Sequence, residues 1–135
     1  MFWKSKTRVI LDTNFLLLLG QGVDIFTKLK ECLDEPYVLC VVSATKEELD
    51  QIREKPGKHK FSAKLARIMI EQQGLKTLTH SKNKGYADAM ILDLLKKDDI
   101  VATLDKALQK QVLANEGRIV TLGSKKLVLK KGSTA

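Results

Sequence analysis

The chain has 135 residues, a length typical of one domain. Hydrophobic residues make up 44% and charged residues 30%, which fits a folded domain and excludes an intrinsically disordered chain. Lysine and arginine total 24 against 16 acidic residues, so the net charge is +8 and the sequence pI is about 9.5. The positive net charge favours a polyanionic partner, although a lysine-rich surface with no such partner would give the same net charge.

Strand-like and helix-like segments alternate along the chain. Five short runs rich in branched apolar residues, at 8–11, 37–42, 75–78, 100–103 and 118–122, predict the strands of a parallel sheet. Apolar residues at helical spacing predict helices at 23–33, 44–54, 61–73, from 87 to near 98, and from 105 to about 115. The alternation predicts one α/β domain over residues 1–135, with flexible ends at 1–6 and 124–135.

The remaining features narrow the class of protein. The longest apolar runs, at 15–19 and 37–42, are far shorter than the roughly 20 residues needed to cross a bilayer. No signal-peptide core precedes them, so we expect a cytoplasmic protein without a membrane partner. Cys32 and Cys40 lack the spacing of a zinc motif and are expected to be small buried hydrophobes.

Four acids follow or flank the predicted strands. Asp12 comes directly after the first strand, and Asp105 comes shortly after the fourth. Asp88 lies in the first turn of one helix, and Glu48 lies one turn into the helix after the second strand. Ligands of open α/β sheets bind beyond the carboxyl ends of the strands, so these acids are candidates for one site. Oxygen ligands without Cys or His select Mg²⁺, Mn²⁺ or Ca²⁺ over zinc.

Each acid also has a structural interpretation. Asp12 suits an Asx turn after the strand, and Asp105 suits a helix N-cap. Asp88 suits the positive end of a helix dipole, and Glu48 suits a solvated helix face. Taken one at a time, the structural interpretation is the more common one, and only the joint placement favours a metal site.

Four motifs that contain these acids together resemble the successive motifs of PIN-domain nucleases. They are VILDTNFLL at 9–17, EELDQI at 47–52, ADAMIL at 87–92 and VATLDKAL at 101–108. The segment 14–26 further resembles the archaeal relatives of the PIN proteins that process ribosomal RNA precursors. The resemblance extends from residue 9 to about residue 122.

The resemblance implies a fold and a set of site residues. It implies a three-layer α/β/α sandwich with a five-stranded parallel sheet in the order 3-2-1-4-5. It also implies an acidic quartet of Asp12, Glu48, Asp88 and Asp105 that holds Mg²⁺ or Mn²⁺, with Asn14 and Thr103 orienting the acids. Many relatives carry further acids where this chain has alanine, at positions 89 and 107. One ion is therefore the cautious count, and two is the upper expectation.

The implied reaction is endonucleolytic hydrolysis of RNA, which would leave a 5′-phosphate and a 3′-hydroxyl. The expected partner is RNA, ribosomal RNA precursor in particular, with a homodimer left open. Six lysines are candidates for phosphate contacts, which would make affinity fall steeply with salt. They are Lys58, Lys60, Lys82, Lys84, Lys106 and Lys110.

Rival classes differ in how well they fit. A haloacid-dehalogenase-like phosphatase needs D-x-D, but the second position here is Asn14. A dinucleotide-binding domain needs a third glycine where this chain has Ile25. Two alternatives stay open: a non-catalytic RNA-binding factor in ribosome assembly, and the ribonuclease toxin of a VapC-type pair with an antitoxin partner.

Overall fold

The structure of the chain is a computed structural model that describes residues 6–132. Residues 1–5 and 133–135 lie outside the described residues, and so do the parts of the predicted flexible ends that fall on them. Within the described range, no helix is both long and apolar enough to cross a membrane.

One six-stranded sheet forms the centre of the fold. Its strands are β1 (Thr7–Leu11), β2 (Tyr37–Val42), β3 (Lys76–Leu78), β4 (Ile100–Ala102), β5 (Arg118–Leu122) and β6 (Leu127–Lys131). They lie in the order β3-β2-β1-β4-β5-β6. All neighbours pair in parallel except β5 and β6, which are antiparallel. The predicted order of the first five strands is confirmed.

The helices fill the connections between the strands. They are α1 (Thr13–Leu16), followed by a 3₁₀ helix at Leu17–Gln21, then α2 (Ile25–Cys32), α3 (Ser43–Glu54), α4 (Lys60–Gln72), α5 (Ala87–Leu94) and α6 (Lys106–Ala114). Side-chain caps fix three of these starts, because Asp12, Asp24 and Asp105 accept hydrogen bonds from backbone amides at the starts of α1, α2 and α6. The observed α3 begins at Ser43, one residue before the predicted start at residue 44.

Two hydrophobic cores cover the two faces of the sheet. On β1, Val9 and Leu11 face one core, and Ile10 faces the other. The first core is filled from the segment of α1 to α4, with Phe15 and Leu49 among its fully buried side chains. The second is filled mainly from α5 and α6. Because side chains of a strand alternate between faces, a segment buried on both sides must be apolar throughout, as β4 and residues Val9 to Leu11 of β1 are. The predicted α/β/α sandwich is confirmed.

The sixth strand corrects the predicted five-stranded sheet. Residues from 124 onward were expected to form a flexible end, yet β6 pairs with β5 over five residue pairs from Leu122↔Leu127 to Arg118↔Lys131. A tight turn closes the hairpin, in which the amide of Gly123 donates to the carbonyl of Lys126 at 2.8 Å. Only Leu127 of this strand is buried, so the lysine-rich edge gave little apolar signal in the sequence.

Candidate active site

The carboxyl ends of β1 and β4 bring two acids to the same edge of the sheet. Leu11 pairs with Ala102 in the parallel register, so Asp12 and Thr103 follow their strands side by side. The backbone amide of Asp12 donates to the carbonyl of Ala102 at 2.9 Å, which extends the ladder by one residue. Asp105 follows two residues after Thr103.

A buried threonine connects Asp12 to Asp105. The hydroxyl of Thr103, which is fully buried, donates to Oδ2 of Asp12 at 2.7 Å. The hydroxyl oxygen of Thr103 also accepts a hydrogen bond from the backbone amide of Asp105 at 3.1 Å. Oδ1 of Asn14 lies 3.3 Å from the Thr103 hydroxyl and accepts from the amide of Leu104 at 3.0 Å. Thr103 and Asn14 therefore fix the relative placement of the first and fourth strand ends.

A second network joins Glu48 to the start of α5. Oε1 of Glu48 accepts from the Thr13 hydroxyl at 2.7 Å, and Oε2 accepts from the backbone amide of Ala87 at 2.9 Å. Thr13 adjoins Asp12 in the sequence, and Ala87 adjoins Asp88. We call the surface formed by Asp12, Glu48, Asp88 and Asp105 the acidic notch.

Burial and charge act together on Asp12. This side chain is only 6% exposed. Burial raises the pKa of Asp12, because ionising a carboxyl away from water is costly, and the hydrogen bonds from Thr103 and Thr13 oppose that rise. The negative charges of Glu48 and Asp105 raise the pKa of Asp12 further. Glu48 and Asp105 are therefore near enough to Asp12 to interact with it electrostatically.

The notch is not closed around a metal position. Among residues 6–132, no three acidic, histidine or cysteine side chains lie close enough together to enclose an ion as they stand. Oδ1 of Asp105 caps α6 through the amides of Ala107 and Leu108, and Oδ1 of Asp88, an exposed side chain, accepts from the amide of Ala89. The helix-cap interpretation of Asp105 is thus realised, and the role of the four acids as metal ligands stays a prediction.

The donor set nevertheless fits a hard divalent cation. All four side chains offer carboxylate oxygens, the ligand type that Mg²⁺ and Mn²⁺ prefer. A carboxylate oxygen that accepts one hydrogen bond keeps a second lone pair, so these bonds leave capacity for coordination. Burial raises the pKa of Asp12 most, and the charges of Glu48 and Asp105 add to the rise. A cation would offset both effects, because it favours the ionised carboxylate.

The six predicted phosphate-binding lysines fall into two groups. Lys106 directly follows Asp105, and Lys82 and Lys84 lie in the exposed loop before α5. In the sequence, Lys82 and Lys84 therefore precede Asp88 by a few residues, and Lys106 and Lys110 follow Asp105. Lys58 instead lies between α3 and α4, and Lys60 is the first residue of α4, so neither adjoins a notch residue in the sequence. Their contact with RNA stays a prediction.

Thr13 is the site residue that sequence reasoning missed. It is 8% exposed, its amide donates to Asp12, and its hydroxyl donates to Glu48, so it links two acids that belong to different elements. Its position directly between Asp12 and Asn14 was the available signal.

Comparisons with known proteins identify the family of the chain. The model of the family described as PIN like domain matches residues 9–125, and the chain belongs to this family. A search of curated proteins found no match.

Solved structures support the same fold. Nineteen chains of known structure match. One is the PIN domain endonuclease Utp24, with 23% sequence identity, a TM-score of 0.75, and coverage of 93% of this chain and 95% of that one. At this level of identity the likeness shows the fold, and the predicted family membership is confirmed by the family model.

Proposed function

We propose that this chain is a Mg²⁺- or Mn²⁺-dependent endoribonuclease that hydrolyses phosphodiester bonds of RNA during ribosomal RNA processing. The observation that carries the proposal is the Thr103 bridge, which ties Asp12 to the start of the Asp105 helix across two neighbouring strands. Membership of the PIN-like family and the likeness to an endonuclease structure support it. The resemblance of segment 14–26 to rRNA-processing relatives supports the substrate class.

Asp12, Glu48, Asp88 and Asp105 would hold the ion. When bound, a divalent cation supplies positive charge that offsets the charge building on the phosphoryl oxygens and lowers the pKa of the attacking water. Asp12 is the central ligand in this proposal, because it is the buried member and its orientation is fixed by Thr103 and Thr13.

The protein residues contribute positioning and charge. Thr103 and Thr13 each hold one oxygen of Asp12, so its carboxylate does not need to reorganise when the substrate arrives. Lys106 and Lys110 lie on α6, the helix that Asp105 caps, and would bind the phosphates that flank the cut. Water adds to phosphorus as the bond to the 3′-oxygen breaks, and the leaving oxygen takes a proton, giving a 5′-phosphate and a 3′-hydroxyl.

A second candidate is a non-catalytic RNA-binding factor. The observation that favours it is that Glu48 uses both carboxylate oxygens in hydrogen bonds with Thr13 and Ala87, as a purely structural residue would. Alanines at positions 89 and 107 point the same way, because many relatives have acids there. This candidate keeps the basic surface and the fold but predicts no cleavage.

Cleavage of a structured RNA by purified protein tests the proposal against this alternative. We expect cleavage that requires added Mg²⁺ or Mn²⁺, stops in EDTA, and falls by at least about 100-fold in Asp12→Asn. The matched control is Asp34→Asn, an exposed aspartate before β2, at the opposite edge of the sheet from the notch. Equal cleavage by the wild type and Asp12→Asn would refute the proposed site, and RNA binding without cleavage would favour the second candidate.

A further inference from the structure

A cavity of about 610 Å³ lies beyond the carboxyl ends of β2 and β3, and β2 is the neighbour of β1, whose carboxyl end carries Asp12. The start of α3 forms one wall through Ser43 and Glu47, and the loop between β3 and α5 forms the other. Its polar lining includes His80, Ser81 and Lys84. This volume lies within the range of roughly 300–1,000 Å³ that is typical of small-molecule pockets, so a nucleotide base fits.

Residues in the walls of the cavity are close neighbours of notch residues in the sequence. Glu47, in the wall, directly precedes Glu48, in the notch. On the other side, Gly85 lines the cavity, and Ala87 two residues later donates its amide to Glu48. An RNA strand with a phosphodiester at the notch would therefore place a neighbouring base at this cavity.

The residue that follows Gly85, a lining residue of the cavity, is an exposed aromatic, and we call this position the rim. Tyr86 lies between Gly85 and Ala87 and is 76% exposed, the largest value among the exposed large hydrophobic residues of the described range. Gly85 has a φ of +137°, a backbone conformation that side chains other than glycine rarely adopt, so the position of Tyr86 depends on it. Exposed rings of this kind provide stacking platforms for unpaired bases.

The loop that carries Tyr86 is held in place. Oδ2 of Asp93, on α5, accepts from the Ser81 hydroxyl at 2.6 Å and from the backbone amide of Lys82 at 2.7 Å. The hydroxyl of Ser81 in turn accepts from the amide of Asn83 at 3.0 Å. These bonds leave the ammonium groups of Lys82 and Lys84 exposed, where they suit the phosphates of a strand that crosses the rim.

Glu47 gives the cavity a chemical preference. It is exposed and makes no hydrogen bond or ion pair with the residues that the structure describes. A carboxylate has two acceptor oxygens, and guanine is the base whose Watson–Crick edge presents two adjacent N–H donor groups, at N1 and N2. Adenine and uracil each offer only one donor group on this edge.

We propose that the cavity between α3 and the loop before α5 binds an unpaired guanine next to the scissile phosphodiester, with Tyr86 stacking on the base and Glu47 accepting its two N–H groups. The inference rests on the proposed function, because it takes RNA as the ligand. It assigns the protein a preference for single-stranded, guanine-containing segments and names the two residues that produce it.

Binding of short single-stranded RNA to the Asp12→Asn protein tests this inference without depending on cleavage. The probe is a fluorescein-labelled, uridine-rich heptamer with G, A, C or U at the central position, and fluorescence anisotropy gives Kd at a fixed salt concentration. We expect the G heptamer to bind at least about fivefold more tightly than the A heptamer, the lower end of the discrimination typical of a bidentate contact.

Two variants and two controls separate stacking from base recognition. Tyr86→Ala, in the Asp12→Asn background, is expected to weaken binding of all four heptamers by about fivefold or more. Glu47→Gln is expected to remove the preference for G over A. The matched controls are Phe61→Ala, an exposed aromatic on α4, and Glu31→Gln, an exposed glutamate on α2, and neither is expected to change either quantity.

The outcomes distinguish this inference from the proposed function. Equal affinity for the four heptamers, or a preference for G that survives Glu47→Gln, would overturn the inference even if the wild type cleaves RNA. A preference for G that depends on Glu47 would support it even if the wild type proves inactive as a nuclease. Loss of affinity in Phe61→Ala equal to that in Tyr86→Ala would show that the rim is not the binding place, and would overturn it as well.

Discussion

Replacing Thr103 by valine isolates the bridge that organises the notch. Thr103 and Thr45 are both fully buried, and valine has nearly the same shape as threonine. Thr103 donates to Asp12 and accepts from the amide of Asp105, whereas Oγ1 of Thr45 has no hydrogen-bond partner among the residues that the structure describes. The two substitutions therefore each remove a buried hydroxyl group, which is hydrogen-bonded at position 103 and without a partner at position 45.

The expected magnitudes follow from these contacts. A hydrogen bond to a charged group contributes about 1.5–3 kcal/mol and one between neutral groups about 1 kcal/mol, so Thr103→Val should lower the free energy of unfolding by roughly 2–4 kcal/mol. Thr45→Val removes a buried hydroxyl that has no compensating bond, and it should leave stability unchanged or raise it by about 1 kcal/mol. Urea denaturation of the metal-free proteins at pH 7 measures both.

The pH dependence of the free energy of unfolding shows whether the Thr103 hydroxyl stabilises the ionised form of Asp12. Because the folded-state pKa of Asp12 is raised, mainly by burial, the protonated carboxyl is favoured in the folded state, and stability is lost as the pH rises through that pKa. The Thr103 hydroxyl opposes this loss only while Asp12 is ionised. The cost of Thr103→Val should therefore shrink as the pH is lowered toward the ordinary pKa of an aspartate. Equal effects of the two threonine substitutions at pH 7 would refute this reasoning.

Two further predictions concern stability away from the notch. A Cβ at Gly20 would lie 2.6 Å from the backbone Cα of Ser62, so Gly20→Ala should destabilise the fold by at least about 1–3 kcal/mol, while Gly57→Ala, with no atom within 4 Å, should stay within about 1 kcal/mol of wild type. Asp99 is buried and ion-paired with Arg8, so Asp99→Ala should lower the free energy of unfolding by about 3 kcal/mol. Urea denaturation checks both, and a cost below about 1 kcal/mol for Gly20→Ala or Asp99→Ala would contradict them.

Much of the sheet could be predicted from local sequence. The bounds of β2 and β5 match the predicted runs, and β1 and β4 differ by one residue at one end. These strands are buried on both faces or nearly so, and continuous apolar runs are a strong signal in such strands. The order of the strands came from the family resemblance, because apolar periodicity does not say which strands are neighbours.

The elements that were missed have weak local signals. β6 is an edge strand rich in lysine, and its pairing with β5 depends on the hairpin turn and on long-range contact. The short α1 and the 3₁₀ helix together cover Thr13–Leu16 and Leu17–Gln21, where a run of leucines fits several conformations. Their geometry is set by packing on α4, including the close approach of Gly20 to Ser62.

The sequence named four acids whose role as metal ligands stays a prediction, but it did not indicate their contacts. Placing Asp12 and Asp105 at neighbouring strand ends needed only the strands and their order. The hydrogen bonds of Glu48 with Thr13 and with the amide of Ala87 depend on side-chain rotamers and on how α3 meets α5, which no local pattern encodes. The rim residue Tyr86 was missed for a related reason, since its exposure is a property of the folded loop.

Anomalous diffraction from a crystal soaked in Mn²⁺ tests whether the acids of the notch bind a metal ion. We expect an anomalous peak at the carboxyl ends of β1 and β4, within about 2.0–2.4 Å of an oxygen of Asp12 and bound by at least one further acid of the notch. The peak should be absent from Asp12→Asn crystals soaked in the same way. A wild-type crystal with no peak at the notch, or with Mn²⁺ bound only elsewhere on the surface, would contradict the claim that these four acids form a metal site.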